Sequence, residues 1–232
     1  MYEINTPEWQ ERYHSWQFKV QRAFRGGYNF LFGYVYIRES SYDFYDDIAT
    51  YNKAMTYLDS NAPRHRISTA GTYEFPFGKG RKYMSNSSAW IDGVLGGWQV
   101  VGAWYFTSGD FLRFGTMLAG GDPTIPNPTP KRWFDTSKFA QQPAYTPRSN
   151  PKQYSGLTGP LYWDLQGTLS KQFRISERYK VEFKAAGYNV TNRLNRANPD
   201  VGVLSANFGQ TLRQRSPGTV GRQIELGLKI IF

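Results

Sequence analysis

The chain closes on GRQIELGLKIIF, residues 221–232. Taken in steps of two from the end, Phe232, Ile230, Leu228, Leu226 and Ile224 are all large and apolar. The interleaved Ile231, Lys229, Gly227, Glu225 and Gln223 are mostly polar or small. A period of two means a β-strand with one apolar face and one wet face. Chain ends are ordinarily polar and frayed. Here the last residue belongs to the apolar face, so the end itself is expected to be held in a sheet.

The same alternation recurs upstream. In 163–174, Trp163, Leu165, Gly167, Leu169 and Phe173 share one face, and Asp164, Gln166, Thr168, Ser170, Gln172 and Arg174 share the other. Lys171 interrupts the apolar face near the strand end, where its ammonium is expected to snorkel to an interface. Tyr179, Val181, Phe183 and Ala185 alternate with Lys180, Glu182 and Lys184 in 179–192. With 96–109, 66–75, 28–37 and 16–21 the pattern predicts strands near 13–24, 27–40, 64–76, 95–108, 161–174, 177–192 and 220–232. Each is long enough for the roughly 9–11 residues that cross a bilayer at a tilt.

Connections at 24–27 and 175–178 are tight, 77–94 is intermediate, and 41–63, 109–160 and 193–218 are long. Short alternating with long predicts an antiparallel up-and-down sheet with one plain rim and one elaborated rim. The segment 109–160 holds Pro123, Pro126, Pro128, Pro130, Pro143, Pro147 and Pro151. It is expected to be a structureless external loop, which a compact soluble domain rarely contains. Trp16, Tyr28, Tyr36, Trp98, Phe106, Trp163 and Phe173 fall at strand ends, where transmembrane barrels carry aromatic girdles. A β-sandwich also buries aromatics, but its strands are shorter and turn every 8–12 residues or so.

Composition agrees with a wall that is wet on one side. Mean hydropathy is −0.59, yet aromatics reach 17%, with 17 Tyr, 16 Phe and 7 Trp. No apolar run approaches the length of a transmembrane helix, which does not exclude barrel strands. Without cysteine there are no disulfides or thiolate metal sites. The first residues show no apolar signal-peptide core, so either the protein is cytosolic or Met1 is not the beginning of the mature protein. The formal charge of +10 is spread along the chain rather than clustered; nucleic acid is not expected as a partner.

Catalytic chemistry is not expected, nor is a cofactor. His14 and His65 are the only histidines and lie far apart in sequence. Gly78-Lys79-Gly80 has too few glycines for a phosphate loop, and its expected job is turn geometry. Asp43, Asp46 and Asp47 offer oxygen ligands for a divalent cation but read more simply as a solvated loop. Lys19, Lys180, Lys184, Lys229 and Arg174 are expected to face the lumen, with Glu182 and Glu225 partly neutralising them. The residues single out no ligand-binding side chain.

Five blocks carry a family resemblance: PRHRISTAGTYEFPFGKGRKY (63–83), LGGWQVVGAWYFTSGD (95–110), RWFDTSKFA (132–140), WDLQGTLSKQFRISERYKVEFKAAGYNVTNR (163–193) and RQIELGLKIIF (222–232). Their succession resembles the C-terminal barrel end of TonB-dependent outer-membrane receptors, in the Oar-like branch. It covers 63–232, and 13–40 by pattern alone; Lys184 and the loop 193–218 depart from it. The resemblance implies an all-β transmembrane barrel of about 22 strands around an N-terminal plug, of which this chain would be the C-terminal seven or so. It implies a bacterial outer-membrane transporter that binds substrate outside and imports it, powered by TonB through the plug. It further implies lipid and lipopolysaccharide around the wall. Gly227, Leu228, Ile230 and Phe232 would be the signal read by the barrel assembly machinery. On this reading the chain is a fragment that does not transport alone. A passive barrel or surface adhesin, an outer-membrane hydrolase, and a secreted soluble β-rich module are the alternatives.

Overall fold

The computed structural model describes residues 10–43, 56–59, 62–115, 117–146, 148–176, 178–215 and 221–232. Seven long strands follow one another in chain order: β1 (Gln10–Arg25), β2 (Tyr28–Asp43), β4 (His65–Glu74), β5 (Trp98–Thr107), β8 (Tyr162–Arg174), β9 (Lys180–Tyr188) and β10 (Gln223–Ile231). Each is antiparallel to the next. A short β3 (Thr56–Asp59) pairs with the end of β2, and a separate ribbon joins β6 (Leu118–Ala119) to β7 (Phe139–Ala140).

Register aligns the two faces across the whole sheet. One row runs Tyr34, Ile67, Phe106, Trp163, and another runs Phe32, Thr69, Trp104, Leu165. Further down the same face come Lys171, Phe183 and Leu228, then Phe173, Val181 and Ile230. Because side chains alternate, these rows form one continuous outer face. Its apolar side chains are bare: Trp16 is 76% exposed, Leu226 71% and Leu228 70%. A soluble protein rarely leaves so large an apolar surface uncovered. The inner rows carry Lys19, Ser68, Tyr105 and Asp164, then Gln99, Ser170 and Lys184.

The strand ends define two rims. At the plain rim sit the turn at Gly26-Gly27 and the connection from β8 to β9. Trp16, Tyr36, Phe106 and Trp163 lie on the outer face toward the opposite, elaborated rim; Tyr28, Trp98 and Phe173 lie on it toward the plain rim. From Trp163 to Phe173 the strand rises by about 33 Å at about 3.3 Å per residue. Tilted by about 45°, that spans about 23 Å, close to the roughly 25 Å apolar band of an outer-membrane barrel.

Four expectations need correction. The connection 41–63 is not all loop: β2 continues to Asp43 and pairs with β3. Leu95 does not begin the fourth long strand but ends a helix, α1 (Ala89–Leu95), and β5 starts at Trp98. Seven residues are too few to impose a helical period on a sequence, so 89–94 read as part of the connection 77–94 and Leu95 as strand. The segment 109–160 is not structureless: its described residues, with 193–215, fold into a lobe described below. Lys171 does not snorkel. It is 3% exposed, and its Nζ donates to Val94 O at 3.1 Å and Gly96 O at 2.5 Å. These carbonyls lie at the C-terminal end of α1, where a cation is favoured. Trp98 and Phe173 flank the ammonium, with ring centroids 5.0 and 4.9 Å away.

The glycines near α1 follow backbone need. Gly78 and Gly80 have φ of 114° and 70°, as turn residues should. Gly97 has φ of 72°, and a Cβ there would stand 2.7 Å from Gln172 O. Replacing Lys171 by alanine leaves Gly96 O without its lysine donor while Val94 O keeps Trp98 Nε1, at about 1–3 kcal/mol. Hydrogen exchange at the Asp92 and Gly96 amides should then accelerate by about tenfold or more, and Lys171→Arg should restore much of the protection. Unchanged exchange in the alanine variant would show that the lysine does not hold the helix.

Candidate functional site

Two features of the elaborated rim are built well enough to meet a ligand. The first is a folded lobe. Leu112, Phe114, Met117, Phe134, Phe139, Tyr154 and Leu157 form a buried cluster against which Trp133, Val201, Val203 and Phe208 pack. Phe134 is 0% exposed and lies edge-on to Phe114, Phe139 and Phe208 at 5.3, 5.7 and 5.3 Å. Such ring pairs contribute beyond their buried area. The cluster joins two loops that β8 and β9 separate in sequence.

Polar contacts weld the same two loops. Arg215 bridges Asp110 at 2.8 Å, and Asn198 Nδ2 donates to Asp110 Oδ2 at 3.2 Å. Trp133 N donates to Gly209 O at 2.8 Å, and Thr211 N to Pro130 O at 2.8 Å. Buried Arg148 donates to the carbonyls of Phe114 and Gly115 at 3.2 and 2.7 Å. Buried Asn150 accepts from Met117 N at 3.1 Å. Asp200 accepts from Ser205 Oγ at 2.6 Å and Gly202 N at 2.9 Å, which together hold its carboxyl below the ordinary aspartate range. Burial pushes the Tyr154 hydroxyl up. Nearer the wall, Gln153 Nε2 and Arg113 Nη2 both donate to Asp59 O, tying the lobe to β3.

The second feature is a hollow in the inner wall. Small side chains at Ser68, Ala70 and Ala103 leave about 270 Å³ between Tyr105, Asp164 and Gln166. Asp164 is 8% exposed and accepts from Gln166 Nε2 at 2.9 Å. One row above, Arg66 pairs with Thr107 in register and Thr107 with Tyr162. Arg66 Nε and Thr107 Oγ1 are buried there with no hydrogen-bond partner, an arrangement that ordinarily calls for water or a ligand. The Arg215 guanidinium lies 5.8 Å from the Tyr162 ring and so links hollow and lobe. Sequence reading put Asp164 and Gln166 on the wet face but had no way to find the hollow. The signal was small residues on inner positions of adjacent strands, and it is visible only once register is known.

The residues named from sequence do not converge here. Gly227, Leu228 and Ile230 lie along β10, an edge strand paired only with β9 among the described residues, and Phe232 lies just past its end. His65 lies on the outer face, where Tyr34 Oη is 2.9 Å from its Nδ1 and the Tyr36 ring is 5.3 Å away. His14 lies on β1, two strands from it in the sheet. Lys19, Lys180, Lys184, Lys229 and Arg174 share the inner face. Glu182 stands 3.4 Å from Lys184 and opposite Lys229. Asp46 and Asp47 lie outside the described residues, as does the side chain of Asp43.

Comparison with known proteins bears on this wall. Residues 2–225 match the model of a family described as an outer membrane beta barrel domain. Searches of curated proteins and of solved structures gave no match.

Proposed function

Given that the chain belongs to the outer membrane beta barrel domain family, and so to the bacterial outer membrane, we propose that it forms part of the wall of a TonB-dependent transporter of the Oar-like branch. In this reading it is a binding and transport protein rather than an enzyme. The observation that carries the reading is the pairing of a wet inner face, hollowed beside Asp164, with a folded lobe at the rim above it. A passive pore needs neither a lobe with its own aromatic core nor buried polar atoms awaiting a partner on its wall. The sequence blocks at 63–83, 95–110, 132–140, 163–193 and 222–232 add the TonB-dependent character. The plug, and TonB through it, are the partners implied; the basic inner residues would meet the plug as charge pairs.

The test uses the whole encoded protein in liposomes. A plugged transporter should give no swelling with small sugars and should retain the periplasmic domain of TonB on a column. Rapid sugar-driven swelling without TonB retention would overturn the reading in favour of a passive barrel.

A further inference from the structure

The connection between β4 and β5 carries an apolar surface that the transport reading does not use. Trp90 is 77% exposed, Val94 49%, Leu95 45%, Tyr83 48% and Met84 41%. Trp90 and Val94 are four residues apart and therefore share a face of α1. The segment is not loose. Ser88 caps α1, Asp92 Oδ1 accepts from Lys79 N at 2.6 Å, and Phe77 bridges to Tyr83. Gly78 packs so closely that a Cβ would meet Asp92 and the Gly96 backbone.

Its position follows from two outer-face side chains. Trp98 Nε1 donates to Val94 O at 2.9 Å, and Lys171 Nζ donates to Val94 O and Gly96 O. Both project from the outer face of their strands, so α1 hangs outside the wall at the plain rim. In outer-membrane barrels the rim of short turns is periplasmic. The apolar face of α1 is therefore continuous with the lipid-facing surface of the wall, at headgroup depth. Around it are exposed Lys79 and Lys82, the latter with Nζ 5.3 Å from the Tyr83 ring. Arg81 is turned away by its 2.8 Å pair with inner-face Glu74.

We propose that residues 77–95 are a membrane anchor for the periplasmic leaflet, with Trp90, Val94 and Leu95 entering the acyl boundary and Lys79 and Lys82 meeting the phosphates of anionic phospholipid. Amphipathic segments with basic flanks bind this way, through buried apolar area plus attraction to anionic headgroups. Tryptophan and tyrosine favour the same depth. The anchor would fix the height of the wall at one point of its rim, whatever cargo passes inside.

The chain has no cysteine, so Val94→Cys provides a unique spin-label site in it. The whole protein is placed in phosphatidylglycerol nanodiscs, and collision with oxygen and with a water-soluble nickel complex is compared. Labels at Lys131→Cys, exposed in the rim lobe, and Val100→Cys mark water and lipid in the same preparation. The expected oxygen-to-nickel ratio at position 94 is several-fold above that at 131. It should drop at least twofold in phosphatidylcholine discs, and Lys79→Gln with Lys82→Gln should erase that lipid difference. A ratio at 94 equal to the water marker, with 100 still reading lipid, would overturn the anchor. So would shielding from both reagents, which would place a protein partner on α1. Equal ratios in the two lipids would overturn the anionic assignment.

Discussion

Replacing Phe134 by alanine should open the rim lobe and leave the wall standing. The side chain is wholly buried among three other rings, and truncating such a phenylalanine costs about 3–5 kcal/mol. The loss falls on a unit whose cluster is separate from the sheet, so it should appear as local opening. At about 1.4 kcal/mol per tenfold, the open population rises by a factor of about 100 or more. Trypsin applied to outer-membrane preparations should then cut at Lys131, Arg132, Lys138 or Arg148 far faster than in the parent. The heat-modifiable gel shift that reports the barrel should persist. Wild-type protease resistance would mean that Phe134 does not hold the lobe. Loss of the gel shift along with the lobe would mean that the two are one cooperative unit.

Deleting Phe232 from the full-length protein should lower the folded barrel in the outer membrane several-fold. The residue is 85% exposed on the outer face at the plain rim, beyond a strand whose second edge has no partner among the described residues. An unpaired edge is a template for strand addition, and this is the edge an assembly factor would engage. Packing alone predicts a different result, because an exposed ring that merely fills a lipid boundary contributes little to the wall. Phe232→Trp should therefore assemble normally, while the deletion should not. Equal amounts of heat-modifiable protein for deletion and parent would remove Phe232 from the assembly signal.

Strand faces were legible because barrel chemistry writes them locally. Trp163, Leu165, Leu169 and Phe173 take the outer face while Asp164, Gln166, Thr168 and Ser170 take the inner one, a division set by strand alternation. The lobe was illegible for the opposite reason. Phe114, Phe134, Phe139 and Phe208 stand at no regular spacing, and their contacts close across two intervening strands. A proline-rich segment with scattered aromatics reads as loop until its partner loop is known. Lys171 misled because one charged residue on an apolar face has two remedies, reaching water or finding carbonyls. The helix that supplies the carbonyls is too short to announce itself. The hollow beside Asp164 needed register, which alternation alone does not fix.

The bond between Arg215 and Asp110 also orders events in time. Each of the seven long strands pairs with the long strand before it, so the wall is able to grow one hairpin after another. The lobe has no such route. Asp110 waits for a guanidinium 105 positions downstream, and Trp133 N waits for the carbonyl of Gly209. Both arrive only after β8 and β9 have been laid down. The mouth of the wall therefore closes only once residues from both sides of β8 and β9 are present, and a reagent that recognises the closed lobe would report that joining.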